Sequence, residues 1–208
     1  MTPRLKLSIC CISYNHSDYI CDAIRSFLKQ NSNFRMEIVI SDDNSTDDTQ
    51  EKIRVFANDY PEIIKFIPRE VNVGMNENFF STISYCEGEY IAICEGDDYW
   101  TDIDKLIKQI EIMDNDNKIV LVSHDVETIS NVVEKCAYKA YADVPSQIGG
   151  FTDVLFSHFI PTLSIVLRRE ALPEIWPDFF YKIKSPDKAL ALSLMLKGLY
   201  YHHPDVMG

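Results

Sequence analysis

The sequence is short of positive charge, and it lacks two patterns that organise cysteine chemistry and membrane insertion. Its 208 residues include 20 Lys and Arg against 32 Asp and Glu, a formal net charge of −12. A basic surface able to displace counterions from a nucleic acid is therefore not expected. No C-x-x-C pair is present, and no apolar segment reaches the roughly 18 residues that a membrane-spanning helix needs. The composition argues against nucleic-acid binding and against a membrane span in this chain.

Cysteine is present, but without the spacing of a metal site. Most of the cysteines lie in or beside apolar stretches, so we interpret them as small buried hydrophobic residues rather than as disulfides or zinc ligands. This favours a reducing compartment, and the N-terminus lacks the apolar core of a signal peptide. We expect a cytoplasmic protein, with peripheral attachment at the inner face of the membrane as an alternative. The six cysteines are Cys10, Cys11, Cys21, Cys86, Cys94 and Cys136.

Two nucleotide-binding fingerprints are missing as well. No G-x-G-x-x-G follows the first apolar run, and no Walker A motif occurs anywhere in the chain. Both motifs depend on glycines that let the backbone approach a phosphate group closely. Their absence disfavours an NAD-binding protein and a P-loop NTPase.

Short apolar runs alternate with segments of helical periodicity along the first 123 residues. Ser17 is expected to cap the first helix, and Ser45 or Thr46 the second. Such alternation is typical of an α/β fold with a mostly parallel central sheet flanked by helices. The predicted strands are 5–12, 36–41, 63–67, 90–94 and 118–123, and the predicted helices are 17–30, 46–58, 76–86 and 103–113.

The second half of the chain is less regular. A strand is predicted at 163–167, and an amphipathic helix at 187–197 is expected to end at Gly198. The pair Gly149 and Gly150 predicts a loop near the boundary of a small lobe. We therefore expect one domain whose second half departs from simple alternation.

Three carboxylates, those of Glu95, Asp97 and Asp98, directly follow the predicted strand 90–94. Ligands of α/β sheets bind outside the carboxyl ends of the strands. Like charges packed together are unfavourable unless a cation neutralises them, and Mg²⁺ or Mn²⁺ takes oxygen ligands that it shares with a substrate phosphate. The segment predicts divalent-metal phosphate chemistry. The alternative is an acidic turn that faces water.

A second acidic pair, Asp42 and Asp43, ends the predicted strand 36–41. An EF-hand loop beginning at Asp42 would need Gly and Glu where Asp47 and Ile53 stand, so a calcium loop is excluded. Helix capping explains the residues that follow, but it does not explain two carboxylates at a strand end. A carboxylate there can accept a hydrogen bond from a nucleobase N–H or a ribose hydroxyl.

Four motifs in a fixed order resemble those of family 2 glycosyltransferases, and the resemblance covers residues 5 to about 113. In that family Tyr-Asn follows the first strand, and the second motif reads Asp-Asp-Gly-Ser-Thr-Asp. The motifs here are Ser-Ile-Cys-Cys-Ile-Ser-Tyr-Asn at 8–15, Asp-Asp-Asn-Ser-Thr-Asp at 42–47, Asn72-Val73-Gly74 with Asn78 and then 88–92, and Glu-Gly-Asp-Asp-Tyr-Trp at 95–100 followed by Asp102, Lys105, Leu106 and Gln109.

The resemblance implies a GT-A fold with a Rossmann-like half that binds a nucleotide-diphosphate sugar together with Mn²⁺ or Mg²⁺. The donor is expected to be a UDP-sugar, and the acceptor a hydroxyl group of a glycan or a lipid-linked glycan. Asp97 is the expected metal contact. The expected donor-binding residues are Ile12, Tyr14, Asn15, Asp42, Asp43, Asn72, Asn78, Glu95 and Asp98.

Two positions depart from the family pattern. Glu95 stands at the first position of the D-x-D metal motif, so its reach differs from that of Asp. Glu77 precedes Asn78 where many members of the family carry Arg-Asn. The loss of that cation puts a contact to the diphosphate in doubt.

The resemblance also implies a catalytic base at the start of a late helix. Asp187, which opens the predicted helix 187–197, matches that place and is expected to take the proton of the acceptor hydroxyl. The alternative is that Asp187 only caps the helix.

These implications define an expected function and its alternatives. The chain is expected to be an inverting, metal-dependent glycosyltransferase of bacterial surface-polysaccharide or glycan synthesis. Residues 1–113 would form the half that binds the nucleotide sugar, and 114–208 the acceptor and base half of the same domain, in a chain truncated at its C-terminus. A nucleotidyltransferase acting on sugar phosphates and a non-catalytic nucleotide-sugar-binding domain are the alternatives.

Several further residues have two readings that the sequence leaves open. The histidines near the C-terminus could assist a metal or be incidental. The tryptophans could form a sugar platform or fill the core, and the arginine pair could neutralise a diphosphate or face solvent. These residues are His202 and His203, Trp100 and Trp176, and Arg168 and Arg169.

Overall fold

The computed structural model describes residues 4–129, 147–157 and 160–208. Within these ranges eight strands and six α-helices are present, joined by short 3-10 turns. The strands are β1 (Leu5–Ser13), β2 (Arg35–Asp42), β3 (Ile64–Pro68), β4 (Tyr90–Ile93), β5 (Ile119–Asp125), β6 (Ile148–Gly149), β7 (Val166–Arg168) and β8 (Leu199–Val206). The helices are α1 (Ile20–Leu28), α2 (Thr49–Asp59), α3 (Met75–Ser84), α4 (Lys105–Asn115), α5 (Phe151–Ser157) and α6 (Pro186–Met195).

The strands form one sheet in the order β3-β2-β1-β4-β7-β5-β8-β6. The first four strands in this order are parallel neighbours, as the alternation of strands and helices predicts. The short strand β7 runs antiparallel between β4 and β5, and β6 is antiparallel to β8. The predicted α/β class is confirmed. The sheet is mixed, and its parallel pairing is concentrated in the first half of the chain.

Successive residues of each strand point to opposite faces of the sheet. Both faces are buried, because helices pack on each of them. On β1, Ile9 and Cys11 pack with α1 in one core, while Cys10 and Ile12 pack with α3 and α6 in the other. Burying one such aliphatic side chain stabilises the fold by about 1.5–3 kcal/mol. The result is a three-layer arrangement with the sheet in the middle.

The predicted helix starts are wrong at α1 and α2. Helix α1 begins at Ile20 and α2 at Thr49, and the side chains at the two N-cap positions, Tyr19 and Asp48, accept no helix N–H. Ser17 is not a cap; its backbone N–H donates to the Asp47 carboxylate. Ser45 donates its hydroxyl to Asp42 instead. The two hydroxyls accept other hydrogen bonds, Ser17 Oγ from Lys52 Nζ and Ser45 Oγ from the Asn15 backbone N–H. A local sequence rule does not include these distant partners.

Two glycine predictions are also revised. Gly149 pairs with β8 as part of the short strand β6 and is not a loop residue. Helix α6 ends at Met195, before Gly198. A Cβ at Gly198 would lie 2.5 Å from the carbonyl oxygen of Lys118, so this glycine is required by a close approach to β5.

The interpretation of most cysteines as small buried hydrophobic residues is confirmed where the structure describes them. Cys10, Cys11, Cys86 and Cys94 are buried free thiols, and Cys21 is half-buried and also free. Cys136 lies outside the described residues. Within the described ranges, none of the helices has the length and hydropathy needed to span a bilayer.

Candidate active site

A pocket of about 420 Å³ opens where β2, β1 and β4 end side by side. These three strands are parallel neighbours, so their carboxyl ends reach the same edge of the sheet. That edge is where α/β sheets bind ligands. The pocket is lined by Ile12, Ser13, Tyr14, His16, Asp43, Asn72, Gly74, Met75, Asn78, Glu95 and Asp97.

The acidic segment after β4 forms one wall of this pocket. Glu95, Asp97 and Asp98 bring one carboxylate oxygen each to within 4.8 Å of one another. Burial and the repulsion of Asp97 and Asp98 raise the pKa of the Glu95 carboxyl to about 7, with a further contribution from Asp187. Burial and the charge of Asp97 raise the pKa of Asp98 to about 6. The three predicted carboxylates are therefore clustered and mutually repulsive.

The cluster fits a divalent metal ion by its chemistry. All three side chains offer hard oxygen ligands, as Mg²⁺ and Mn²⁺ require. Among the described residues, the one basic side chain that approaches the cluster within 4 Å is the His16 imidazole, whose Nδ1 lies 3.7 Å from an Asp97 oxygen. A bound cation would relieve the repulsion that raises the two carboxyl pKa values.

Gly96 holds the acidic segment against β1. Its backbone N–H donates to the Ile12 carbonyl at 2.9 Å. A Cβ at this position would lie 2.9 Å from Ile20 Cδ1 and 3.0 Å from both Ser13 Cβ and His16 Nδ1. Only glycine fits here without displacing neighbours, so the approach that places the carboxylates requires it.

Asp43 organises the opposite wall of the pocket. Its two carboxylate oxygens accept the backbone N–H groups of Val73 and Gly74 at 2.8 and 2.9 Å. The Asn72 side chain donates to the Asp43 carbonyl at 3.1 Å. Gly74 has φ +89°, in the region that favours glycine. The motif Asn72-Val73-Gly74 thus wraps around Asp43, which explains why the two motifs occur together.

Asp42 lies behind the pocket rather than in its wall. The residue is fully buried and accepts hydrogen bonds from Ser13 Oγ, Ser45 N, Ser45 Oγ and Gln50 Nε2. Four donors satisfy the capacity of a carboxylate. Asp42 was predicted to contact the nucleotide sugar. The structure revises this prediction, because Asp42 instead holds together the loops that follow β1 and β2.

Two asparagines with positive φ shape the same loops. Asn15 has φ +55° and accepts the Thr46 backbone N–H on its side-chain oxygen at 2.8 Å. Asn44 has φ +61° and stands where the family pattern carries Gly. Asn is among the non-glycine residues that most readily adopt this conformation. Asn15 belongs to the support of the pocket, since it is not among the residues that line it.

Asn78 is buried at the base of the pocket, and its partner Arg69 was missed by sequence reasoning. Arg69 follows β3 and donates its Nε to Asn78 Oδ1 at 2.8 Å. Glu77, which stands where the family pattern carries Arg, is exposed. The signal that could have found Arg69 is its position directly after a strand of the parallel sheet.

Asp187 lies in a smaller adjoining compartment of about 170 Å³. This compartment shares Ile12, Met75 and Glu95 with the larger pocket. Asp187 is the second residue of α6, and the cap position is Ser185. The alternative that Asp187 is the helix cap is therefore wrong, and the residue faces the compartment beside the acidic cluster.

The sequence allows two roles each for Trp100, Trp176 and Arg168, and none of the three lines either pocket. Trp100 is buried, donates its Nε1 to the Leu163 carbonyl and packs under Lys105, and Trp176 packs on Phe80. The tryptophans therefore contribute to packing. Arg168 is buried, and its guanidinium donates a hydrogen bond to the Tyr90 hydroxyl. Tyr90 is the first residue of β4, so this contact lies at the opposite end of the strand from the acidic segment.

The C-terminal histidines pair with protein groups. His202 Nε2 lies 3.0 Å from an Asp125 oxygen, and its Nδ1 lies 3.0 Å from Ser123 Oγ. His203 lies 3.9 Å from Asp205. Within the described residues, neither histidine belongs to the carboxylate cluster.

Solved structures with the same fold include two glycosyltransferase domains. TarS from S. aureus, solved in complex with UDP, superposes with a TM-score of 0.76 at 17% identity and covers 98% of this chain and 59% of its own. A mannosyltransferase from Pyrobaculum calidifontis, solved with GDP-Man and Mn²⁺, gives a TM-score of 0.73 at 17% identity over 99% of this chain and 57% of its own. The fold is therefore the GT-A fold.

Sequence comparison identifies the family. An uncharacterized protein of Mycobacterium tuberculosis is 38% identical over 165 residues, which are 79% of this chain and 47% of the relative. The chain thus spans about half the length of the curated relatives it matches. The family described as "Glycosyl transferase family 2" matches residues 8–176. With its four motifs assembled around one pocket, the chain belongs to glycosyl transferase family 2.

Proposed function

We propose that this chain binds the donor and performs catalysis in a metal-dependent inverting glycosyltransferase. The donor is a nucleotide-diphosphate sugar, with UDP-sugars as the first candidates, and the acceptor is a hydroxyl group of a glycan or lipid-linked glycan in bacterial polysaccharide synthesis. One observation carries the proposal: Glu95 of the acidic cluster borders both the larger pocket and the compartment of Asp187.

The proposed donor lies along the larger pocket. Its nucleoside is placed between Tyr14 and Asp43, and its diphosphate beside Asp97, which with Glu95 and Asp98 would hold Mn²⁺ or Mg²⁺. A bound divalent cation supplies positive charge that offsets the charge of the departing diphosphate. TarS binds UDP, and the mannosyltransferase binds GDP-Man and Mn²⁺, which supports a nucleotide-sugar donor and a divalent metal ion for this chain.

The proposed reaction is a direct displacement at the anomeric carbon. The acceptor oxygen forms a bond to that carbon while the bond to the diphosphate oxygen breaks, so the configuration inverts. Asp187 accepts the proton of the acceptor hydroxyl. Its compartment also contains Glu95 of the acidic cluster, which supports a base on the sugar side of the proposed diphosphate. Residues 1–113 are the proposed donor half, and 114–208 the proposed acceptor and base half.

Turnover of UDP-sugars with Mn²⁺ tests this proposal, with release of nucleoside diphosphate as the readout. Asp187→Asn keeps the side-chain shape but cannot take the proton, so the rate should fall by about 10²-fold or more while UDP binding is retained. Asp97→Ala should remove both activity and Mn²⁺-dependent UDP binding. Asp178→Asn is the matched control, because this carboxylate is exposed and lines neither pocket.

The outcomes separate the alternatives. Wild-type rates in Asp187→Asn would show that the base assignment is wrong. Release of pyrophosphate instead of nucleoside diphosphate would indicate a nucleotidyltransferase. Metal-dependent UDP binding without turnover would indicate a nucleotide-sugar-binding domain.

A further inference from the structure

Lys105, the first residue of α4, is a fully buried lysine that lines neither of the two pockets. Burial lowers the pKa of its ammonium group to about 7. Among the described residues, no carboxylate lies within 4 Å of its Nζ. A buried charge without an anionic partner is unfavourable for folding, and perturbed groups of this kind are concentrated at functional sites. Lys105 is therefore a candidate for a functional role.

The Lys105 side chain contacts an indole ring and an amide. Its Nζ lies 4.1 Å from the centre of the Trp100 ring, which is the geometry of a cation–π contact. The same Nζ donates to Gln109 Oε1 at 2.7 Å. Because an ammonium group carries donors and no acceptor, the amide oxygen of Gln109 faces Lys105. The amide nitrogen of Gln109 is then free to donate elsewhere.

Both partners of Lys105 donate to the same short turn of the backbone. Trp100 Nε1 donates to the Leu163 carbonyl at 2.9 Å, and Gln109 Nε2 donates to the Ser164 carbonyl at 2.8 Å. These two successive carbonyls belong to the 3-10 turn that precedes β7. Lys105 thus lies between two side chains that together fix one turn.

The turn, Thr162–Ser164, also contributes to the compartment of Asp187, because Thr162 lines that compartment beside Glu95. Trp100 is the last residue of the motif that contains the acidic cluster, so its indole connects the cluster with the turn. The network therefore joins the acidic cluster to a wall of the compartment in which the proposed base lies.

We propose that Lys105 is a positioning residue for the transfer reaction, which acts through Trp100 and Gln109 to hold the turn that carries Thr162. The inference rests on the proposed function. Neither Lys105 nor the turn lines the larger pocket, so the loss of Lys105 leaves donor and metal binding in place. It displaces a wall of the Asp187 compartment, and a misplacement of about 1 Å can lower a reaction rate by about 10²-fold.

Two measurements on Lys105→Met test this role, because Met fills the space of the aliphatic chain and lacks the donors. In hydrogen–deuterium exchange, the backbone of 160–168 should exchange about tenfold faster than in the wild type, while β1 and β2 are unchanged. Release of UDP from UDP-glucose, UDP-galactose and UDP-N-acetylglucosamine with Mn²⁺ should show a kcat that is lower by about tenfold or more. The KM for the donor should stay within about twofold of the wild type, because donor binding is retained.

Two conservative variants each change one contact of the network. Trp100→Phe keeps an aromatic ring beside Lys105 and removes the indole donor to the turn. Gln109→Glu keeps an oxygen facing Lys105 and places an acceptor opposite the carbonyl that the amide nitrogen holds. Both should raise the exchange of 160–168 and lower kcat while the donor KM is kept. If Lys105→Met did not fold, these two variants would decide by the same readouts.

Lys118→Met is the matched control, because this lysine is exposed just before β5, and it should match the wild type in both measurements. Wild-type exchange of 160–168 in the network variants would overturn the inference. Faster exchange with an unchanged kcat would overturn it as well, and so would a loss of kcat that is accompanied by an equal rise in the donor KM. In these cases UDP release by the wild-type protein leaves the proposed function intact. If the wild-type protein released UDP from none of the three donors, the proposed function and this inference would fail together.

Discussion

At the scale of single residues, the site depends on carboxylates whose ionised forms are disfavoured by their surroundings. Glu95 and Asp98 keep raised pKa values because burial and neighbouring charges disfavour their ionised forms. Such residues reduce the stability of the ligand-free protein near neutral pH. This is typical of functional sites, where perturbed pKa values are concentrated.

The acidic cluster predicts how the stability of the metal-free protein depends on pH. The pKa of Glu95 is about 7 in the folded protein, above its ordinary value of 4.5. The folded state therefore binds the proton more tightly, and this contribution to stability is complete below about pH 4.5 and is lost as the pH rises through 7. In metal-free buffer, thermal unfolding should show a melting temperature that falls from pH 5 to pH 8.

Two variants isolate this effect from other titrating groups. Glu95→Gln removes the titration and should make the fall in melting temperature smaller, whereas Glu51→Gln, on the exposed face of α2, should leave it unchanged. Mn²⁺ should raise the melting temperature most at pH 8. A slope that is identical in Glu95→Gln and wild type would contradict the stated cause of the shift.

At the scale of elements, the site is assembled from loops that follow parallel strands. The sequence predicted the order and type of the elements through β5, because apolar runs and helical periodicity are strong there. It also located the acidic pair after β2 and the acidic segment after β4. Helix starts were less predictable, since Ser17 and Ser45 make hydrogen bonds to residues that are about 30 positions away in the chain, Asp47 and Asn15.

Contacts between residues that are distant in the sequence were the part of the site that the sequence did not predict. The contact between Arg69 and Asn78 depends on β3 lying beside β2, which no local pattern records. The different tasks of Asp42 and Asp43 were equally hidden, because their hydrogen-bond partners lie in different segments of the chain. A strand was predicted at 163–167, and the structure has a 3-10 turn at Thr162–Ser164 followed by β7. The antiparallel pairing of β7 with β4 and β5 was not predicted.

The role of Asp42 as a structural support predicts a loss of stability without a direct ligand contact. In Asp42→Asn an amide N–H₂ replaces an oxygen that accepts hydrogen bonds, so buried donors such as Ser13 Oγ lose their partner. The free energy of unfolding should fall by about 1–3 kcal/mol, measured by urea denaturation. Asp48→Asn, an exposed position just before α2 without a side-chain capping bond, should change it by less than about 0.5 kcal/mol. Equal effects of the two variants would contradict this role.

At the scale of the whole molecule, the sheet divides the work between its two halves. The parallel half presents the ends of β2, β1 and β4, and hence the larger pocket. The second half contributes α6, which brings Asp187 to the adjoining compartment. The excess of acidic residues over the whole chain does not by itself identify the site. What identifies it is the position of a few carboxylates at one edge of the sheet.

The central claim, a metal-dependent nucleotide pocket at the edge formed by β2, β1 and β4, is tested most directly by titrating UDP into the protein with and without Mn²⁺. We predict saturable binding at one site with Mn²⁺ present, and binding at least about tenfold weaker in its absence or in Asp97→Ala, because the acidic cluster alone repels a diphosphate. UDP binding of equal affinity with and without Mn²⁺, or no UDP binding under either condition, would contradict the claim.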